Sequence, residues 1–221
     1  MRRFVLAALL IGLASAGLAQ SANELLRASA ELLNARPWKV ELVGQVAGPG
    51  GEPQPADLKV QAVPEAGVVR IDFVKPDALA DNYLVITPEK VYNYLFLTNQ
   101  VVVYPRDRAR VEGLGFDLSR LGDLQDLEDR HDLTWNAPIA VELDGRAAWK
   151  LTGRPADPET SGFARAVLWL DREIRLPLRS AFYGPEDRML SDLEWRDFAF
   201  TELDPEALVR FPPDAEWIEK H

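Results

Sequence analysis

The sequence predicts an α+β fold: one strongly curved antiparallel sheet of ten or eleven strands with little helix to cover it. Three observations carry this. From Trp38 onward, short segments alternate apolar and polar residues at period two, as strands with one wetted face do. Clusters rich in Gly, Pro and Asn separate these segments at regular intervals, as in a meander. Before them, a single stretch keeps a helical period. So many strands in one domain curl toward a barrel.

The elements follow in order. Arg2 and Arg3 precede an apolar run from Phe4 to Leu13, and the small residues Gly17 and Ala19 stand before Gln20. That is the layout of a secretory signal peptide over 1–19, cut near Ala19, and the run is short for a membrane span. An uncleaved anchor is the alternative. Residues 20–221 are expected to form one domain of the exported protein. The chain has no cysteine, which excludes lipid attachment through an N-terminal Cys, disulfides and thiolate metal sites.

In "SANELLRASAELLNARP", Ala22, Leu25, Leu26, Ser29, Ala30 and Leu33 share one helical stripe, and Asn34 and Pro37 close the helix. Strands follow. Trp38, Val40, Leu42 and Val46 share a face; "VAGPGGEPQP" over 46–55 reads as a long turn; "DLKVQAV" and "GVVRIDFVKP" alternate cleanly. "KVYNYLFLTNQVVVYP" over 90–105 reads as two strands joined at Thr98 and Asn99. Its first strand is apolar on both faces: Val91, Leu95 and Leu97 on one, Tyr92, Tyr94 and Phe96 on the other. Antiparallel sheets normally wet one face, so something must cover the second: helices, facing strands or a guest. Residues 106–136 break the pattern, with short helices expected at 117–122 and 125–130. Strands resume at "IAVEL", "RAAWKLTGRP", "RAVLWLDR", "IRLPLRSAFYG" and "RMLSDLEWRDFAFTEL". In the last, Leu193 and Trp195 differ in parity from Phe198 and Phe200, which a bulge near Arg196 reconciles. Asp204 and Pro205 then start a one-turn helix.

With 25 Lys and Arg against 35 Asp and Glu, the formal charge of −10 repels nucleic acid, and no basic amphipathic helix offers itself to anionic membranes. The acidity reads as a solvated surface. Catalytic machinery is thin. His131 and His221 are the two histidines, the first in an acidic run and the second at the terminus. The carboxylates Asp123, Asp126, Glu128, Asp129 and Asp132 are spaced nearer to a helix than to a calcium loop. A glycosidase pair among so many acids stays open, and "GPGG" is followed by no helix that would cradle phosphate. No catalytic residue, metal or cofactor is assigned, and a binding protein is expected. The surplus of apolar residues in strands is either core or the lining of a cavity for an apolar ligand.

The order of "RIDFVKPD", "LVITPEKVYNYLFLTNQVVVYP", "AVLWLDREIRLPLRSAFYGPEDRMLSDLEW" and "VRFPPDAEWIE" after an initial helix resembles the LolA-type periplasmic carriers that sort outer-membrane lipoproteins. The likeness runs over about 21–219. It implies an incomplete, half-open β-barrel with lid helices and an apolar cavity that shelters acyl chains, without catalysis. By that resemblance and by parity, the cavity wall is expected at Trp38, Val40, Leu42, Val69, Ile71, Phe73, Tyr92, Tyr94, Phe96, Leu168, Leu170, Leu178, Phe182, Leu193 and Trp195. The lid is expected at Leu25, Leu26, Ala30 and Leu33. Implied partners are acylated lipoproteins or lipid, an inner-membrane transporter that loads the carrier and an outer-membrane acceptor; a monomer is expected. The alternative is an envelope sensor or general lipid binder of the same fold. One departure concerns gating: family members commonly carry a basic residue where this chain has Val63, before Pro64, and Arg70 is the nearest substitute. Leu170→Glu is expected to cut acyl-chain binding without unfolding the protein.

Overall fold

The helical stripe at the start folds as its period predicts. α1 spans Ala22–Asn34 and buries Ala22, Leu25, Leu26, Ser29, Ala30 and Leu33. A capping box starts it: Ser21 Oγ accepts from the Glu24 N–H, and Glu24 returns a carboxylate to the Ser21 N–H at 2.8 Å. The S-x-x-E spacing was the available signal. The computed structural model describes residues 21–106 and 133–220. The expected signal peptide over 1–19, the helices over 117–130, the acidic run with His131, and His221 lie outside them.

The strands are β1 (Trp38–Ala47), β2 (Pro53–Val63), β3 (Val68–Lys75), β4 (Tyr83–Ile86), β5 (Lys90–Leu95) and β6 (Gln100–Pro105). They continue as β7 (Leu133–Trp135), β8 (Ile139–Leu143), β9 (Arg146–Pro155), β10 (Arg165–Asp171), β11 (Pro177–Tyr183), β12 (Met189–Phe200) and β13 (Glu216–Glu219). Two single-turn helices interrupt the second half, α2 (Pro158–Ser161) and α3 (Pro205–Leu208), the latter capped by Asp204. Among the described residues all thirteen strands join one strongly curved sheet, an incomplete barrel, in the order β13-β6-β5-β4-β3-β2-β1-β12-β11-β10-β9-β7, with β8 also on β9.

Three readings are corrected. The sheet holds thirteen strands, because β7 and β13 are three and four residues long and too short to show a period. It is not wholly antiparallel, since β13 runs parallel to β6. The turn expected over 46–55 is shorter, as Ala47 already pairs with Pro53. Pro53 and Pro55 are tolerated in β2 because β3 stops opposite Asp57, so no neighbour needs their missing N–H groups on that side. The expected bulge exists: Lys39 pairs with Ala199 and Glu41 with Arg196, leaving one extra residue on β12 beside Asp197 at φ 51°.

The chain itself covers the second apolar face of β5. Tyr83, Val85, Tyr94, Val101 and Val103 pack on Leu208 of α3, and Leu203, Val209, Phe211 and Ala215 join them. This C-terminal strap is tied down by Tyr83 Oη donating to the Arg210 carbonyl at 3.2 Å and Arg70 Nη1 donating to the Leu208 carbonyl at 3.4 Å. Arg70 also lies 3.7 Å over the Tyr83 ring and bonds Asp72. Burial raises the Tyr83 hydroxyl pKa, against the pull of the Arg70 charge. Arg70→Ala is expected to cost about 1–2 kcal/mol, and limited proteolysis should then cut first between 201 and 219. Across β9–β12 the same outer face carries charged pairs instead, with Arg179 bonding Asp192 through two 2.6 Å contacts beside Trp169.

Candidate functional site

Register decides what shares the inner face of the sheet, because directly paired residues in a ladder point the same way. Trp38, Val40 and Leu42 stand opposite Ala62, Val60 and Leu58, which stand opposite Val69, Ile71 and Phe73. Ile86 and Leu84 continue the row to Val91 and Asn93 of β5. In the other direction Leu42 pairs with Trp195, Leu193 with Ser180, Ser180 with Leu168, and Leu168 with Leu151. Leu170 and Phe182 share this parity. The result is an almost wholly apolar wall crossing β5 to β9, with Asn93, Ser180 and Ser191 as buried polar residues on it.

α1 lies on that wall and bridges two of its clusters. Leu33 packs with Trp38, Val40, Ile71, Leu193 and Trp195, whereas Ala22, Leu25 and Leu26 pack with Leu151, Leu168, Leu170 and Phe182. A latch holds the helix end: Trp38 Nε1 donates to the Leu33 carbonyl at 2.9 Å, satisfying one of the carbonyls a helix C-terminus leaves open. The Trp38 ring is set between Phe198, at 5.7 Å, and Trp195, at 6.3 Å. Trp195 Nε1 in turn donates to Ser180 Oγ, so the polar ends of both indoles are paired inside an apolar layer.

Eleven of the fifteen expected wall residues therefore lie on the inner face, together with the four expected lid residues, while Leu178 is buried as the extra residue of a bulge between β10 and β11. Tyr92, Tyr94 and Phe96 do not lie on that face. Tyr94 pairs with Tyr83 and Tyr92 with Val85, which places both on the outer face under the C-terminal strap. Phe96 lies beyond β5 in the turn to β6 and is half exposed. Leu170 is only 1% exposed and packs into core, so a glutamate there is no longer expected to leave folding intact. Arg70 is no latch for α1 either, because it faces the strap. Val63 packs in the same outer cluster, so a side chain at that position points away from the helix. Leu58, Val60, Leu84, Ile86, Val91 and Leu151 complete the inner wall and were missed, although each follows from the period-two pattern once its partner's face is fixed.

A cleft of about 180 Å³ lies at the sheet edge between Glu89, Lys90, Val103, Tyr104, Pro105, Glu219 and Lys220. It is charged and below the usual range of about 300–1,000 Å³ for ligand pockets. Among the described residues no three His, Asp or Glu side chains gather to hold a metal ion.

No family model matches the sequence, and no curated protein does. Solved structures do. An uncharacterized conserved protein from Thermus thermophilus is 30% identical, with a TM-score of 0.66 over 91% of this chain and 100% of its own. A DUF1329 family protein from Desulfovibrio piger is 13% identical, with a TM-score of 0.51 over 84% of this chain and 95% of its own. The LolA superfamily protein NE2245 from Nitrosomonas europaea aligns at 10% identity and a TM-score of 0.47, over 87% of this chain and 99% of its own.

Proposed function

The chain belongs to the family of the uncharacterized conserved protein from Thermus thermophilus and has a LolA-like fold, and we propose that it is an extracytoplasmic carrier for the acyl chains of lipoproteins. The observation that carries this reading is the inner wall: a broad apolar sheet face covered in part by one thirteen-residue helix whose narrow stripe touches two clusters. The signal-peptide layout of residues 1–19 supports the location. In this reading the protein binds without catalysing, and α1 is its gate.

The energetics favour a guest over the gate. The three buried leucines of α1 gain roughly 1.5–3 kcal/mol each, or about 5–9 kcal/mol together. The fourteen CH₂ groups of a sixteen-carbon acyl chain gain about 11 kcal/mol at ~0.8 kcal/mol each. Such a chain lifts the helix and lies between it and the sheet, and the same narrow footprint lets the helix close again after release. A ligand shifts this balance only through its differential contact with the two states, and an acyl chain has that difference.

Native mass spectrometry of the protein purified from its own cell envelope tests the proposal. Co-purified acylated polypeptide is the expected result. Free lipid alone would make the protein a general lipid binder. Protein without lipid, and without affinity for a palmitoylated peptide, would overturn the reading.

A further inference from the structure

Among the described residues, three buried side-chain atoms have no hydrogen-bond partner: Ser29 Oγ, Gln54 Nε2 and Trp135 Nε1. All three belong to the inner side of the molecule. Ser29 sits on the buried stripe of α1 at 1% exposure. Trp135 stands opposite Gly153, which stands opposite Ala166 in the row of inner residues. Gln54 stands opposite Val46. Unpaired buried donors are costly, and folded proteins carry few of them.

Trp135 borders the cluster beneath the first turns of α1, and Ser29 stands one turn further along that helix. A Cβ on Gly153 would come within 2.8 Å of the Trp135 ring, so it is the bare glycine that lets the indole lie flat on β9. From there Trp135 packs against the cluster that contains Ala22, Leu25, Leu26 and Leu151. Ser29 follows Leu25 and Leu26 by one turn on the same helical stripe. An indole N–H can only donate, and a hydroxyl can donate while it turns to suit its partner. Both lack an acceptor. Hydrocarbon offers none, whereas the carbonyl oxygen of an acyl ester or amide offers two lone pairs.

Building on the acyl-binding function, we infer that Ser29 and Trp135 are polar anchors for the carbonyl of the bound acyl group. The site then selects acyl chains that carry a carbonyl over plain hydrocarbon of equal length. Gln54 lies at the far end of β1 and β2 and takes no part in this anchor.

The test compares methyl dodecanoate with tetradecane, each displacing an apolar fluorescent probe from the full mature chain. The wild type is expected to bind the ester more tightly than the alkane. Ser29→Ala and Trp135→Phe should each weaken the ester about five- to tenfold and leave the alkane unchanged. Dodecanoic acid separates the two carbonyl sources: tighter binding of the ester assigns an esterified chain, and tighter binding of the acid assigns a free fatty acid. If the variants weaken ester and alkane equally, or weaken neither, the anchor is overturned while the carrier reading stands. If the wild type takes none of the three probes, the carrier reading falls and the anchor falls with it.

Discussion

Leu170→Glu lowers the melting temperature by roughly 6–20 °C, because an unpaired charge placed in a packed interior costs about 3–5 kcal/mol and a domain of this size loses about 2–4 °C per kcal/mol. Leu170 packs with Leu168, Leu151 and the helix residues Leu25 and Leu26 in an apolar cluster. Two escapes are open to the new charge. It can take up a proton, at the cost of a raised pKa, or it can push α1 away and reach water. Either route ends in lost stability, which a thermal melt by circular dichroism reads directly. A melting temperature within about 2 °C of wild type, together with lost acyl binding, would return Leu170 to an open cavity wall.

Replacing Trp38 acts on the gate from the sheet side. Trp38→Ala removes the bond to the Leu33 carbonyl and the contacts with Trp195 and Phe198, at an expected cost of about 3–5 kcal/mol. Trp38→Phe separates the latch from the packing. It keeps a ring in the layer while deleting the N–H and part of the indole's buried area, so at least about 1 kcal/mol is lost. The amides of α1 should then exchange with solvent roughly five- to tenfold faster, while those of β1 and β12 stay protected. Unchanged exchange across 22–34 in the phenylalanine variant would show that the helix is held by its apolar stripe alone.

The extent to which the sequence foretold the site depends on how much each residue's neighbours decide. The stripe of α1 needed only its own period, and the buried set from Ala22 to Leu33 is the set the pattern names. The bulge in β12 was visible because Trp195 and Phe198 could not share a face without it. β5 was different. Both of its faces are apolar, so composition could not say which looked inward, and the aromatic face drew the assignment of Tyr92 and Tyr94 to the cavity. Pairing settles it: Val91 lies in register with Ile86 and Val69 on the inner wall, and the tyrosines go outward. The cover over those tyrosines comes from α3 and the chain up to β13, more than a hundred residues downstream. No local pattern announces that contact. Trp217 hints at it, an aromatic in a short charged segment, and it packs edge-on against Phe211. The orphaned donors Ser29 and Trp135 were also illegible, since only a three-dimensional neighbourhood shows that an acceptor is missing.

Photo-crosslinking with a palmitoylated peptide that carries a diazirine on its acyl chain tests the central claim most directly, with the labelled residues located by peptide mass spectrometry. Binding beneath α1 predicts adducts on the helix stripe from Leu25 to Leu33 and on inner strands at Trp38, Leu42, Leu168 and Leu193, all competed by unlabelled acyl peptide. Adducts confined to Tyr92, Phe211 and Trp217 on the outer face, or none that unlabelled peptide can compete, would contradict it.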